Sequence, residues 1–499
     1  MRRINLGSIL KGTSGDSFFL ILVRVVTLAL GILITRVLSG HFSLQDYGTY
    51  SQIMLLVSTI SSMTMLGMMD GVNFFFCKES DEQKRNTYVS TIFFLQYAVS
   101  AIVSLIVLAC AVPISNYFGN DGLRSLIIFA AVLPVLQNSI SLLQIMFIAI
   151  GKAKQIALRN LLVSLLKLAA VTLSCYVFDN VAVIFLCQVI TDGLQVAYFV
   201  ITLRKNDCRI NVLKFDKSLI KEILIYCIPM AMFSVIKSLN RDSDKFVISF
   251  FTNTETLAIY TNASKLLPFD IIMTSFCTVL LPYVTRYIAK KKHEQCQTLY
   301  KSFLELSYIS TTILTVGAIC VAPELMRFLY TEKYASSDFG ITVFIIYLLA
   351  DIVSVMNITM ILSAAGKTKT ILLASIGPFL ENILLNILLF FAFREIGPAI
   401  ATLAVTVVQG IVILSLGAKE LKSNLFKMFD LKYLLFFVLQ ILLCSALAIL
   451  LRRLLAERQV HYLIILFAVY ALFTGALLLM NFRRLLKNLK IINSCKREN

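Results

Sequence analysis

The sequence predicts an all-α integral membrane protein of fourteen transmembrane helices, and three observations predict it. Hydrophobic residues make up 58% of the 499 positions and charged residues only 15%, with a mean hydropathy of +0.84; soluble domains are roughly 45–50% apolar. The apolar residues come in continuous runs of about 20, the length that crosses a bilayer, without the alternation of barrel strands. Basic residues concentrate on alternate connections. Hydrocarbon offers the backbone no outside partner, which leaves helices as the spanning element. A water-soluble enzyme is excluded by the same figures.

The first run, 17–38, follows Met1-Arg2-Arg3, is interrupted by Arg24 and has no small-residue cleavage site, so it reads as a retained helix. Runs at 46–69, 88–112, 124–148, 158–178 and 181–203 complete a group of six between polar or charged breaks. A second group follows at 222–250, 256–284, 302–328, 340–364, 370–393 and 396–417, and a last pair at 430–451 and 461–482. The connections are short, which leaves no large extramembrane domain to carry a separate chemistry.

With the N-terminus placed in the cytoplasm, 32 of the 46 Lys and Arg fall on cytoplasmic segments, 7 on outer loops and 7 within helices. This positive-inside split puts both termini in the cytoplasm, as an even helix count requires. The net charge of +18 is therefore mostly topology, and no nucleic-acid partner is implied.

Two weak internal similarities keep order and nearly keep offset. Ala149-Ile150-Gly151-Lys152-Ala153-Lys154 matches Ala364-Ala365-Gly366-Lys367-Thr368-Lys369, and Val37-Leu38-Ser39 with Tyr50 matches Val247-Ile248-Ser249 with Tyr260. They divide the chain into a six-helix lobe at 1–205, a second at 206–420, and an extra transmembrane hairpin with a basic tail at 421–499. An offset of six helices preserves membrane orientation, so the repeat is parallel, and transporters of that design hold substrate in a cleft between lobes.

Other chemistries find no support. The eleven Cys include no CxxC pair, and the three His, at 41, 293 and 461, stand apart, so no metal site or disulfide framework is expected. Gly366-Lys367-Thr368 resembles the end of a phosphate-binding loop, but Ile361 stands where that motif needs Gly. No Ser/His/Asp order, HExxH motif or paired carboxylates at a membrane face are present, so the chain reads as a non-enzyme without a cofactor.

The informative residues are the charges inside spans, each costing roughly 2.5–3.5 kcal/mol on insertion scales and so expected to face a bundle interior or a watery cavity. Arg24 lies about two turns into the first helix and either lines a cavity or pairs between helices; Arg36, near the outer end, lines a cavity or snorkels to the interface. Ser238 to Lys245 looks like an outer loop, yet the repeat places it within the counterpart of the first helix. There Lys237, Arg241, Lys245 and Asp244 fall on one face by i+4 and i+7 spacing, to be read as cavity lining or as a water-exposed helix end. The next run supplies Lys265 and Asp270. Asp70, Lys167, Asp192, Asp351 and Glu381 are single charges, to be read as structural pairs, interface residues or ion-coupling sites. A cavity lined mainly by Arg and Lys suits phosphate or diphosphate.

Those residues carry a resemblance. Thr35-Arg36-Val37-Leu38-Ser39 with Asp46-Tyr47-Gly48-Thr49-Tyr50, Ile228-Pro229-Met230 leading to Asp244-Lys245, Ile259-Tyr260-Thr261-Asn262-Ala263-Ser264-Lys265, Leu281-Pro282, and Leu329-Tyr330-Thr331-Glu332-Lys333-Tyr334-Ala335 resemble the signatures of bacterial polysaccharide flippases. These are the O-antigen and exopolysaccharide transporters of the multidrug, oligosaccharidyl-lipid and polysaccharide exporter superfamily. Ala258 stands where the family often has Gly. The resemblance implies a two-lobed bundle in the bacterial plasma (inner) membrane that moves a polyprenyl-diphosphate-linked oligosaccharide to the outer leaflet by alternating access, coupled to protons or sodium. It also implies membrane lipid as partner, and the glycan polymerase and glycosyltransferases of the same pathway. Arg24 and Lys265 correspond to cations that grip the diphosphate in related flippases; Lys237, Arg241, Lys245 and Arg36 extend that set, and Asp70, Asp244 and Asp270 are the candidates for ion coupling or charge pairing. Two other functions compete: a multidrug cation antiporter of the same superfamily, which would favour acidic and aromatic cavity walls, and a membrane polysaccharide polymerase or ligase, which would need a sizeable outer loop.

Overall fold

The fold is taken from a computed structural model, which describes residues 13–69, 71–72, 75, 81–149, 153–204, 215–265, 267, 269, 271–424 and 428–494. Among the described residues all regular structure is helical. The first run forms α1 (Thr13–His41), followed by α2 (Leu44–Met65), α3 (Glu82–Ala109), the short α4 (Ala111–Phe118), α5 (Leu123–Ala149), α6 (Ala153–Leu173) and α7 (Val181–Arg204). The second group opens with α8 (Lys217–Phe251), continuous through the charged stretch 238–245 as the repeat requires. The eighth run is broken into α9 (Thr254–Ala263) and α10 (Ile271–Ala289), and the ninth gives α11 (His293–Cys320), α12 (Ala322–Tyr330) and α13 (Glu332–Ala335). The tenth breaks at a 3₁₀ turn, Val355–Asn357, between α14 (Asp338–Ser354) and α15 (Met360–Ala364). Then come α16 (Thr368–Phe393), α17 (Gly397–Glu420), α18 (Leu431–Glu457) and α19 (Tyr462–Ser494).

Each of the fourteen runs therefore holds a helix, and four runs are interrupted: the third at Cys110, the eighth before α10, the ninth at Val321 and the tenth at Val355–Asn357. Nine stretches of the described residues are long and apolar enough to cross a membrane, one of which, Lys369–Glu420, contains both α16 and α17. The protein is a multi-pass membrane protein. Its outer surface is hydrocarbon: Leu158, Leu162, Leu165, Leu166 and Leu173 form an exposed apolar stripe at helical spacing along α6 and the turn after it, the pattern lipid demands and water forbids.

Two turns share one spacing. α1 ends at His41 and α2 starts at Leu44; 210 residues on, α8 ends at Phe251 and α9 starts at Thr254. Ser43 caps α2 by accepting the Asp46 N–H at 3.0 Å, and Asn253 caps α9 by accepting the Thr256 N–H at 2.8 Å. Gly48 lies where these turns meet. A Cβ there would sit 2.2 Å from the Thr254 carbonyl oxygen, so a side chain would push backbone apart.

The chain packs as two units, Met1–Asp242 with Ser249–Ala258, and Ser243–Ile248 with Ile259–Asn499. In the first, α1 packs on α6, α2 on α5, and α5 on α7, around a core that includes Phe93, Leu142, Phe147 and Phe199. In the second, α14 packs on α17 and α16 on α17, while α18 and α19 close against α11 through Ile313, Phe437, Val469 and Phe473. Arg484 on α19 fastens that hairpin: it bonds both oxygens of Glu305, donates to Asp430 Oδ2 at 2.8 Å, and stacks on Tyr433.

Candidate functional site

Three consecutive residues of α8 are buried, and each is held by different partners. Asp242, 5% exposed, accepts from Ser58 on α2 at 3.5 Å and from the Arg241 guanidinium at 3.1 Å. Ser243 accepts from Asn382 at 3.2 Å and Asn386 at 3.0 Å, two buried amides one turn apart on α16. Asp244, 1% exposed, accepts the Tyr347 hydroxyl of α14 on Oδ2. The Tyr260 hydroxyl of α9 lies 3.3 Å behind that of Tyr347.

Asp244 is the unusual member. Its Oδ1 is buried with no hydrogen-bond partner, and among the described residues no cation forms an ion pair with it. A buried carboxylate with one empty oxygen has unspent acceptor capacity, and desolvation makes that costly. Lys245, the next residue, is half-buried. Lys265 follows the end of α9, in the break before α10; it is exposed, donates to the buried Asn262 at 3.1 Å, and lies 5.9 Å from the Tyr330 ring.

The second unit thus brings Asp244, Tyr260 and Tyr347 together, with Lys245 beside them in the chain. Arg241 turns to Asp242 and is 64% exposed, so it does not share the buried environment of Asp244. Arg36 is half-buried on α1. Asp70 and Asp270, and the side chains of Arg24 and Lys237, lie outside the described residues.

Two partners escaped sequence reading. Tyr347 and the Asn382/Asn386 pair sit on helices remote in sequence from Asp244 and Ser243, and each looks like an ordinary polar residue in an apolar run. A third group is in the first unit: Lys167 on α6 and Asp192 on α7, noted singly in the sequence, form one ion pair at 3.0 Å, with Gln195 donating to the same carboxylate oxygen at 2.9 Å.

The comparisons with known proteins fit this architecture. A stretch of 221 residues, 43% of this chain and 43% of the relative, is 24% identical to the probable lipid II flippase MurJ of Rickettsia prowazekii (strain Madrid E); the match spans less than half the length of that curated relative. Among solved structures, lipid II flippase MurJ in an inward closed conformation covers 94% of this chain and 100% of its own, at a TM-score of 0.75 and 17% identity. An inward-facing multidrug resistance MATE family transporter of the MOP superfamily covers 80% of this chain and 98% of its own, at a TM-score of 0.62 and 14% identity. At such identities the likeness is one of fold. Residues 34–338, from the end of α1 through the Tyr260 and Lys265 region to the start of α14, match the family described as "Polysaccharide biosynthesis protein", and the chain belongs to that family.

Proposed function

We propose that this protein is a flippase that carries a polyprenyl-diphosphate-linked oligosaccharide from the cytoplasmic to the outer leaflet of a bacterial plasma membrane, for surface polysaccharide synthesis. The observation that carries the reading is the family match over 34–338 on a fold like that of a lipid II flippase over 94% of the chain. Intramembrane cations supply the matching chemistry: Arg24, Arg36, Lys237, Arg241, Lys245 and Lys265 offer donors for a diphosphate, whose charge must be met by protein once water is left behind. No covalent chemistry is asked of the chain. Both termini are placed in the cytoplasm by the basic loops.

In this reading the transport cycle is alternating access driven by an ion gradient, with Asp244 as a proton site. Its unpartnered Oδ1 and phenolic neighbours let it gain or lose a proton without breaking an ion pair, and each change alters the charge beside Lys245. Asp70 and Asp270 are further acidic candidates. The glycosyltransferases and polymerase of the pathway would act before and after it.

A deletion strain complemented with Arg24→Ala/Lys265→Ala tests the reading. Cytosol-facing lipid-linked repeat units should accumulate and surface glycan should fall, although the variant reaches the membrane in normal amount. Unchanged surface glycan in the deletion strain would sink the proposal; drug efflux conferred by the wild type would favour the antiporter.

A further inference from the structure

The first unit carries a groove that the transport reading does not use. It lies between α6 and the second half of α7, has a volume of about 520 Å³, and runs from Arg159 to Leu173, about 21 Å of helix rise. Ala169 and Ala170 make its concave floor, and Leu166, Leu173 and Leu194 wall it with hydrocarbon. Leu166, Leu173 and Leu194 are also exposed, at 57%, 55% and 65%, so the groove opens on the apolar surface of the unit. It is longer than the roughly 15 Å of hydrocarbon in one leaflet, enough for an acyl chain.

One end of this groove is cationic. Arg159 is 9% exposed and about two turns from the start of α6, near headgroup depth. Its guanidinium stacks on Phe199, 4.3 Å from the ring centroid, and Nη2 donates to Gln144 at 3.5 Å and to Asn160. Nε and Nη1 are buried with no hydrogen-bond partner. No carboxylate pairs with it among the described residues: Asp192, the nearby acid, is taken by Lys167 and Gln195.

We propose that this groove binds a phospholipid with an anionic headgroup from the surrounding bilayer, its phosphate on Arg159 and one acyl chain along the alanine floor. A guanidinium with two unpartnered nitrogens, Nε and Nη1, offers three N–H donors to phosphate oxygens, and buried donors left empty are costly. The surplus positive charge selects net anionic lipid over zwitterionic lipid, whose ammonium would add a second cation beside Arg159.

The chain has no Trp, so a single Leu173→Trp at the far end of the groove is a unique reporter. Purified protein is placed in phosphatidylcholine nanodiscs, and Trp quenching is compared for brominated phosphatidylglycerol and brominated phosphatidylcholine. Phosphatidylglycerol should half-quench at about tenfold lower mole fraction, the size expected for charge-assisted hydrogen bonds. Arg159→Gln in the same background should erase that preference. Ala169→Phe, which fills the groove at an exposed position and leaves the buried Arg159 in place, should do the same even if Arg159→Gln folds poorly. Equal quenching by both lipids in the reporter protein, or a preference that survives Ala169→Phe, would overturn the proposal. So would displacement of phosphatidylglycerol by a polyprenyl diphosphate at lower concentration, which would assign the groove to cargo.

Discussion

Two carboxylates, one in each unit, are buried to the same 1% exposure and differ in what faces them. Asp192 faces Lys167 at 3.0 Å and the Gln195 amide at 2.9 Å. Asp244 faces the Tyr347 hydroxyl, with Tyr260 behind it. The first is an ion pair made on one oxygen, Asp192 Oδ2 being buried without a hydrogen-bond partner, and removing the Lys167 charge leaves the buried Asp192 carboxylate uncompensated. The second can lose its charge without stranding a paired cation. Equal burial thus goes with different surroundings: Asp192 joins α6 to α7, whereas Asp244 is the group that changes state in the proposed cycle.

The sharpest break in that comparison is Asp192→Asn. It should cost about 2 kcal/mol, the size of a hydrogen bond to a charged group, since Lys167 is a third exposed and keeps part of its solvation, while Lys167→Met with Asp192→Leu should recover most of the loss. Melting can be followed with a thiol-reactive dye, because Cys175, Cys296 and Cys320 are buried thiols outside any disulfide. If Asp192→Asn melts with the wild type, the pair is not structural.

Asp244→Asn should behave in reverse. The amide oxygen still accepts from Tyr347, so stability should change by less than about 1 kcal/mol, whereas gradient-driven transport in proteoliposomes should slow at least about tenfold, or about 1.4 kcal/mol of barrier. Transport at the wild-type rate would remove Asp244 from coupling and leave it as packing.

How much of this was legible in the sequence follows from the range of each interaction. The helices were legible because apolar runs are local; the breaks inside runs were not, because Val355–Asn357 carries neither Gly nor Pro and Lys265 and Asp270, before α10, read equally well as charges inside a span. α8 was legible through 238–245 only by the repeat, since its composition reads as a loop. Lys167 and Asp192 were visible as opposite charges on adjacent helices, but nothing in either run states that they meet. Asp244 and Tyr347 lie 103 residues apart, and a Tyr in an apolar run carries no mark of its partner. Arg159 was hidden differently: so close to a helix start it counts as one more cytoplasmic cation, and only its burial sets it apart.

Tyr347→Phe sharpens the second half of the comparison. Removing the hydroxyl should cost about 1 kcal/mol and leave Tyr260 as the phenol beside Asp244. It should therefore shift the pH profile of transport more than the melting temperature. Loss of stability with an unmoved pH profile would make Tyr347 a packing residue.

Asp430 supplies the smallest and most easily checked effect, a reference carboxylate at the start of α18 outside the spans. Its hydrogen bond from Arg484, and then that from the Tyr433 N–H, hold its carboxyl below the ordinary carboxylate value. A carboxyl lowered on folding stabilises the native state fully above the unfolded pKa and loses that contribution as pH falls through the folded one. Melting of the wild type should therefore be flat in this contribution from neutral pH down to the ordinary carboxylate range, and decline below it. Asp430→Asn should melt slightly lower at neutral pH and show a shallower acid decline, because Arg484 keeps Glu305 but loses its second carboxylate. The group is more than a third exposed, so solvent screens the pair and the shift should be well below that of Asp192→Asn. An equal shift would mean that burial does not separate the two ion pairs.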